Sequence, residues 1–185
     1  YFWPKVIAKG HQDFWKMAPM GGETRPEIQS VVFKESYPAG NFERQDFRLC
    51  MEVTCATYML HQSVFANAVY NTELQNARYA HARLGYQYYV PEILASISSD
   101  RRIVDVDVTV TQIGVAPFYY PLGLSIACEG VAKDSTTQYG VERLIDKDSS
   151  KVFKFSIPAN EACLRSIWIT LDSRHLYEGR PMKFA

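Results

Sequence analysis

The stretch "RRIVDVDVTVTQIG" spans Arg101–Gly114. Val104, Val106, Val108 and Val110 point one way, and Asp105, Asp107, Thr109 and Thr111 point the other. This period of two marks a strand that buries one face and wets the other. The same rhythm returns downstream. In "PLGLSIACEG", Leu122, Leu124, Ile126 and Cys128 share a face. In "KVFKFSIP", Phe153, Phe155 and Ile157 do so, and Pro158 ends the strand. In "CLRSIWITLDS", Cys163 keeps register with Ile167, Ile169 and Leu171. With "YQYYVPEILASIS" before these and "RPMKF" after, about seven short strands over roughly 100 residues predict an immunoglobulin-like antiparallel β-sandwich.

Before Gly85 the rhythm is helical. "NFERQDFRLCMEVTCATYMLHQSVFAN", Asn41–Asn67, has no proline and is predicted as one long helix. Asn41 caps it, Glu43 and Asp46 favour its first turn, and Phe47, Cys50, Met51, Thr54, Tyr58 and Phe65 form its stripe. Cys50 and Cys55 would then point to different faces and not bridge. A second helix in "NTELQNARYAHARLG" is capped by Asn71 and stopped by Gly85 in a left-handed conformation. Its His81 reads as a buried structural histidine. Upstream, "HQDFWKMAPMGGETRPEI" reads as a strand that gives way to a loop at Pro19, Gly21 and Gly22, with Glu23 just beyond. Strand, acidic loop and helix make one unit of an α/β layer or barrel, where chemistry gathers at the carboxyl ends of strands. The expected domains are 1–85, the end of an α/β barrel-like region, and 86–185, the sandwich; the fold class is α+β.

The totals bound the partners. Lys+Arg is 20 and Asp+Glu is 20, so net charge is zero and nothing draws the chain to nucleic acid or an anionic membrane. No run of about 18 apolar residues occurs, so no membrane span is expected. The four histidines are dispersed, no cysteine pair has zinc-knuckle spacing, and no nucleotide or nucleophile-elbow motif is present, so neither metal nor cofactor is expected. Cys128 and Cys163 both fall on inward faces, and either a disulfide or two buried thiols fits that placement. The first residues, "YFWPKVIAKG", carry neither an initiator Met nor a signal peptide, which suggests part of something longer.

Several motifs together resemble a known family. "MGGE" (Met20–Glu23), "TCATYML" (Thr54–Leu60), "ARLGYQYYV" (Ala82–Val90), "IGVAPFYYPLGLSIA" (Ile113–Ala127), "FSIPA" (Phe155–Ala159) and "GRPMKFA" (Gly179–Ala185) occur in the order of an uncharacterised, glycoside-hydrolase-like family. Its members have a (β/α)8 barrel closed by a C-terminal β-sandwich, and the chain resembles the end of that arrangement. It departs from the family at Ile113, where a small polar residue is usual, and around Cys55, where a His is common. The resemblance implies an extracellular or cell-surface protein that binds or processes glycans, with an upstream barrel segment or partner chain completing it. Glu23 becomes the candidate catalytic carboxylate, with no second carboxylate evident, and Trp15 and Tyr37 become sugar-stacking candidates. Phe118, Tyr119 and Tyr120, held between Pro117 and Pro121, either stack on a carbohydrate or fill the seam between sandwich and barrel. A different class of function also fits: a non-catalytic interaction module of an extracellular assembly.

Overall fold

A computed structural model describes residues 3–37, 45–62, 72–128, 136–176, 182 and 184. The chain divides into two units, Tyr1–Tyr86 with Gly114–Ala116, and Gln87–Ile113 with Pro117–Ala185. It is a mixed α+β protein, with few helices and mostly antiparallel sheet.

The first unit runs α1 (Trp3–Ala8), a 3-10 turn (Phe14–Lys16), β1 (Gly21–Glu23), a 3-10 turn (Pro26–Ile28), α2 (Phe47–Thr54), β2 (Tyr58–Leu60) and α3 (Thr72–His81). β1 and β2 are parallel, with Gly21 beside Tyr58 and Glu23 beside Leu60. Parallel neighbours need a crossover, and α2 lies within it. Among the described residues this pair has two strands and closes no barrel. Phe33, Phe47, Met51, Ala56, Ala77 and Ala80 form the centre of the unit's core.

Two expectations are corrected here. The long helix does not run through to Asn67. α2 begins after Asp46, whose Oδ1 accepts the Arg48 N–H at 2.9 Å, and it ends at Thr54. Cys55 then turns left-handed, at φ 48° and ψ 51°. Helical spacing continues in the sequence, but Tyr58–Leu60 gains a strand partner in β1, and tertiary pairing overrides the local pattern. Cys50 and Cys55 remain thiols, as expected, although the second sits beyond the helix end. Asn41, Glu43, Phe65 and Asn71 lie outside the described residues. The second correction concerns β1, which falls on the glycines themselves and not before them. A Cβ at Gly21 would lie 2.2 Å from the Tyr58 ring, so the bare backbone is what lets that ring lie across the strand.

The second unit is built on β3 (Tyr88–Ile97), β4 (Ile103–Gln112), β5 (Gly123–Ala127), β6 (Thr137–Tyr139), β7 (Ser150–Pro158), α4 (Glu161–Arg165) and β8 (Trp168–Asp172). Two antiparallel sheets form, in the orders β3-β4-β7 and β6-β5-β8. Val104, Val106, Val108 and Val110 of β4, Phe153, Phe155 and Ile157 of β7, Leu124 and Ile126 of β5 and Leu171 of β8 share one buried cluster. The polar face of β4 finds cross-strand partners: Ser156 Oγ donates to Asp105 at 2.6 Å, and Lys154 Nζ reaches Asp107 at 2.7 Å.

Cys163 does not begin a strand. It lies in α4, where Asn160 Oδ1 accepts its backbone N–H at 2.8 Å, and β8 starts only at Trp168. It is still buried, and its sulfur is bonded to that of Cys128, with the Cα atoms 5.0 Å apart. Sequence periodicity misses β6, a three-residue edge strand laid over Gly123. The strand expected over "RPMKF" falls mostly outside the described residues.

Two outcomes follow from this architecture. Gly85 sits at φ +68°, where an added Cβ would meet the Thr57 carbonyl oxygen at 3.1 Å. Its N–H donates to Ala56 and its carbonyl accepts from Ala116, each at 2.9 Å. Gly85→Ala is expected to cost about 1–2 kcal/mol, lowering Tm by about 4–8 °C for each kcal/mol, read by calorimetry. Replacing Cys163 by Ser opens a loop with a sequence separation of 35. The expected loss is about 4 kcal/mol in chemical denaturation.

Candidate functional site

At the carboxyl end of β1 the first unit opens into a cleft of about 820 Å³. Glu23 lines it from the last residue of β1, Arg25 from the segment after the strand, Glu27 from the 3-10 turn that follows, Trp3 from α1, and Cys50 and Thr54 from α2. The loop is braced. Thr24 N donates to the Leu60 carbonyl at 3.1 Å, and Gln29 Nε2 donates to the Thr24 carbonyl at 2.8 Å. Gln29 Oε1 accepts from Gln62 N at 3.3 Å, so one side chain ties the ends of both parallel strands. Glu23 is thereby presented from ordered backbone, exposed at a strand terminus.

The lining combines two carboxylates, one guanidinium and an indole. Among the described residues no ion pair joins Glu23 to Arg25. Trp3 Nε1 and Thr24 Oγ1 are buried and have no hydrogen-bond partner among the described residues. Burial pushes the Cys50 thiol up from its ordinary value. A protonated thiol is a poor nucleophile, so Cys50 contributes surface and not reactivity.

The other sequence candidates lie elsewhere. Trp15 is half-buried in the Phe14–Lys16 turn, with Lys16 Nζ 5.5 Å from its ring centroid. Tyr37 lines a separate cavity of about 170 Å³ with Phe33, Phe47 and Asn76. Neither lines the Glu23 cleft. Sequence reasoning missed Trp3 and Glu27. Both stand beside a proline, in "WPKV" and "RPEI", where proline starts a helical turn and fixes its neighbours.

In the second unit the aromatic triplet divides by depth. Phe118 is buried in the core, and its N–H donates to Tyr88 Oη at 3.4 Å. Tyr119 is half-buried. Tyr120 is exposed and stacks on His175, with centroids 4.3 Å apart and planes at 24°. Only this last ring presents an open surface. Among the described residues no group of three His, Cys, Asp or Glu side chains is placed to hold a metal, and no helix is long and apolar enough to cross a membrane.

One titratable group is unusual. His61 follows β2 directly, is 8% exposed, and neither ring nitrogen makes a well-formed hydrogen bond among the described residues. It packs edge-on to Phe33 at 4.9 Å and lies 6.3 Å from His81. His81 is half-buried on α3, with Nδ1 2.8 Å from the Ala77 carbonyl. Burial, and then the neighbouring His81, pull the His61 pKa down, while the Gln29 main chain nearby opposes them.

Comparison of the chain with protein-family models, curated proteins and solved structures finds no match.

A depressed histidine pKa means that the unfolded chain takes up a proton before the folded one does. The stabilisation from neutral His61 is complete above about 6.5, the ordinary value, and is lost as pH falls below it. Thermal melts between pH 7.5 and 5 are expected to show falling Tm, and His61→Phe is expected to flatten that dependence.

Proposed function

We propose that the cleft of the first unit is a carbohydrate site, and that the protein binds or processes glycans in an extracytoplasmic setting. The observation that carries this reading is the placement of Glu23 and Glu27 in one large cleft at the carboxyl end of a parallel strand. Open α/β units present ligand-binding groups at that end. Sugars offer both apolar ring faces and hydroxyls. The Trp3 indole suits the former, and the carboxylates and Arg25 suit the latter.

Glycoside hydrolysis uses two carboxyl groups, one to protonate the leaving oxygen and one to act as nucleophile or base. Glu23 is the catalytic residue of this proposal and Glu27 its partner. On this reading the β1–α2–β2 unit belongs to a (β/α)8-type barrel, completed by an upstream segment or partner chain. The two-sheet unit is the immunoglobulin-like sandwich of the same architecture. An oxidising compartment is where a bridge such as Cys128–Cys163 persists. Tyr120, stacked with His175, is a secondary contact for a sugar face.

Glycan-array binding and hydrolysis of fluorogenic glycosides, measured on the full-length protein, test the proposal. Glu23→Gln and Glu27→Gln are each expected to lower turnover by at least a factor of about 100 while binding persists. Trp3→Ala is expected to weaken binding. Loss of neither binding nor turnover in any of these variants would refute the assignment.

A further inference from the structure

The second unit carries an edge that its own sheet leaves open. Among the described strands β3 is hydrogen-bonded only to β4, and its outer side pairs with none of them. Ile93, Ala95 and Ile97 stand opposite Val108, Val106 and Val104, which are buried in the core. They therefore face the core side of the sheet, yet Ile93 is 51% and Ile97 53% exposed, and Ala95 is exposed as well. On the other face Leu94 is 58% exposed. Long apolar edge strands invite another strand, because N–H and C=O groups and side chains are all unsatisfied along one line.

We propose that β3 is a self-association surface, pairing antiparallel with β3 of a second copy about a two-fold axis at Ala95. The pattern around Ala95 is self-complementary. Ile93 of one copy falls opposite Ile97 of the other, Ala95 opposite Ala95, and Leu94 opposite Ser96. The small residue sits on the axis, and the large ones cover each other. Charge selects the direction: Glu92 lies at one end of the segment, and Asp100, Arg101 and Arg102, with one net positive charge, lie just past the other. Antiparallel pairing brings unlike ends together, while parallel pairing sets like ends side by side. The chain's zero net charge adds no long-range repulsion. Pro91, beside the register shift between Tyr89 and Glu92, has no N–H and bounds the pairing segment at Glu92–Ile97. Six residues bury less than the roughly 800 Å² per partner of a stable complex. The dimer is accordingly weak and concentration-dependent. This inference does not depend on the glycan reading, and either one can fail without the other.

Sedimentation equilibrium of the intact chain over about 1 µM to 1 mM tests it. The expected result is a rise from monomer mass toward twice that mass. The double substitution Ile93→Lys with Ile97→Lys changes only exposed positions and is expected to stay monomeric, with an unchanged far-UV spectrum. Ala95→Cys supplies a readout independent of that variant's folding: mild oxidation is expected to yield a covalent dimer that reductant reverses, well above the background of the parent, whose Cys50 and Cys55 are thiols. A parent that stays monomeric throughout, a dimer that survives the double substitution, or no cross-link from Ala95→Cys overturns the proposal. Capture of an unrelated extended peptide by β3 without self-association overturns it too.

Discussion

The two-sheet unit depends on one strand whose faces cannot be exchanged. β4 is hydrogen-bonded on both sides, to β3 and β7, and four of its valines are buried. Each contributes about 1.5–3 kcal/mol by leaving water. A slip of one residue would turn all four outward and drive Asp105 and Asp107 into the core. The partners of those aspartates agree with that register, since Ser156 and Lys154 lie directly across in β7. The facing sheet then needs only apolar residues at period two, which β5 and β8 supply.

The other unit rests on a close approach and not on a broad apolar face. Gly21 leaves room for the Tyr58 ring, the ring's strand lies parallel to β1, and the two carboxyl ends come side by side. Gln29 reaches across both ends and holds the acidic loop. The Glu23 cleft is the consequence. Two adjacent strand ends, a short 3-10 turn at Pro26–Ile28 and helices α1 and α2 leave a concavity whose polar groups come largely from one stretch of chain.

The same economy leaves some groups uncovered. Ile93 and Ile97, on the face of β3 that stands opposite the buried valines of β4, meet water. His61 shows the reverse problem: it is covered too well, with an imidazole among aromatic rings and no well-formed hydrogen bond to either nitrogen among the described residues. A surface that is too apolar and an interior that is too polar are both departures from ordinary packing. Such departures are where binding or response to conditions concentrates.

By itself, the sequence determined the alternation of β4, β5 and β7, the inward placement of Cys128 and Cys163 and the left-handed conformation of Gly85, although α3 ends earlier, at His81. Each depends on residues near one another in the chain, whose spacing carries the information. Only the tertiary structure decided the break of the helix at Cys55, the strand on Gly21–Glu23, the short edge strand β6, the helix carrying Cys163, and the company Glu23 keeps with Trp3 and Glu27. Those outcomes turn on partners far away in sequence. A three-residue strand has no period to detect, and a glycine shows what it accommodates only when the ring that covers it is in place.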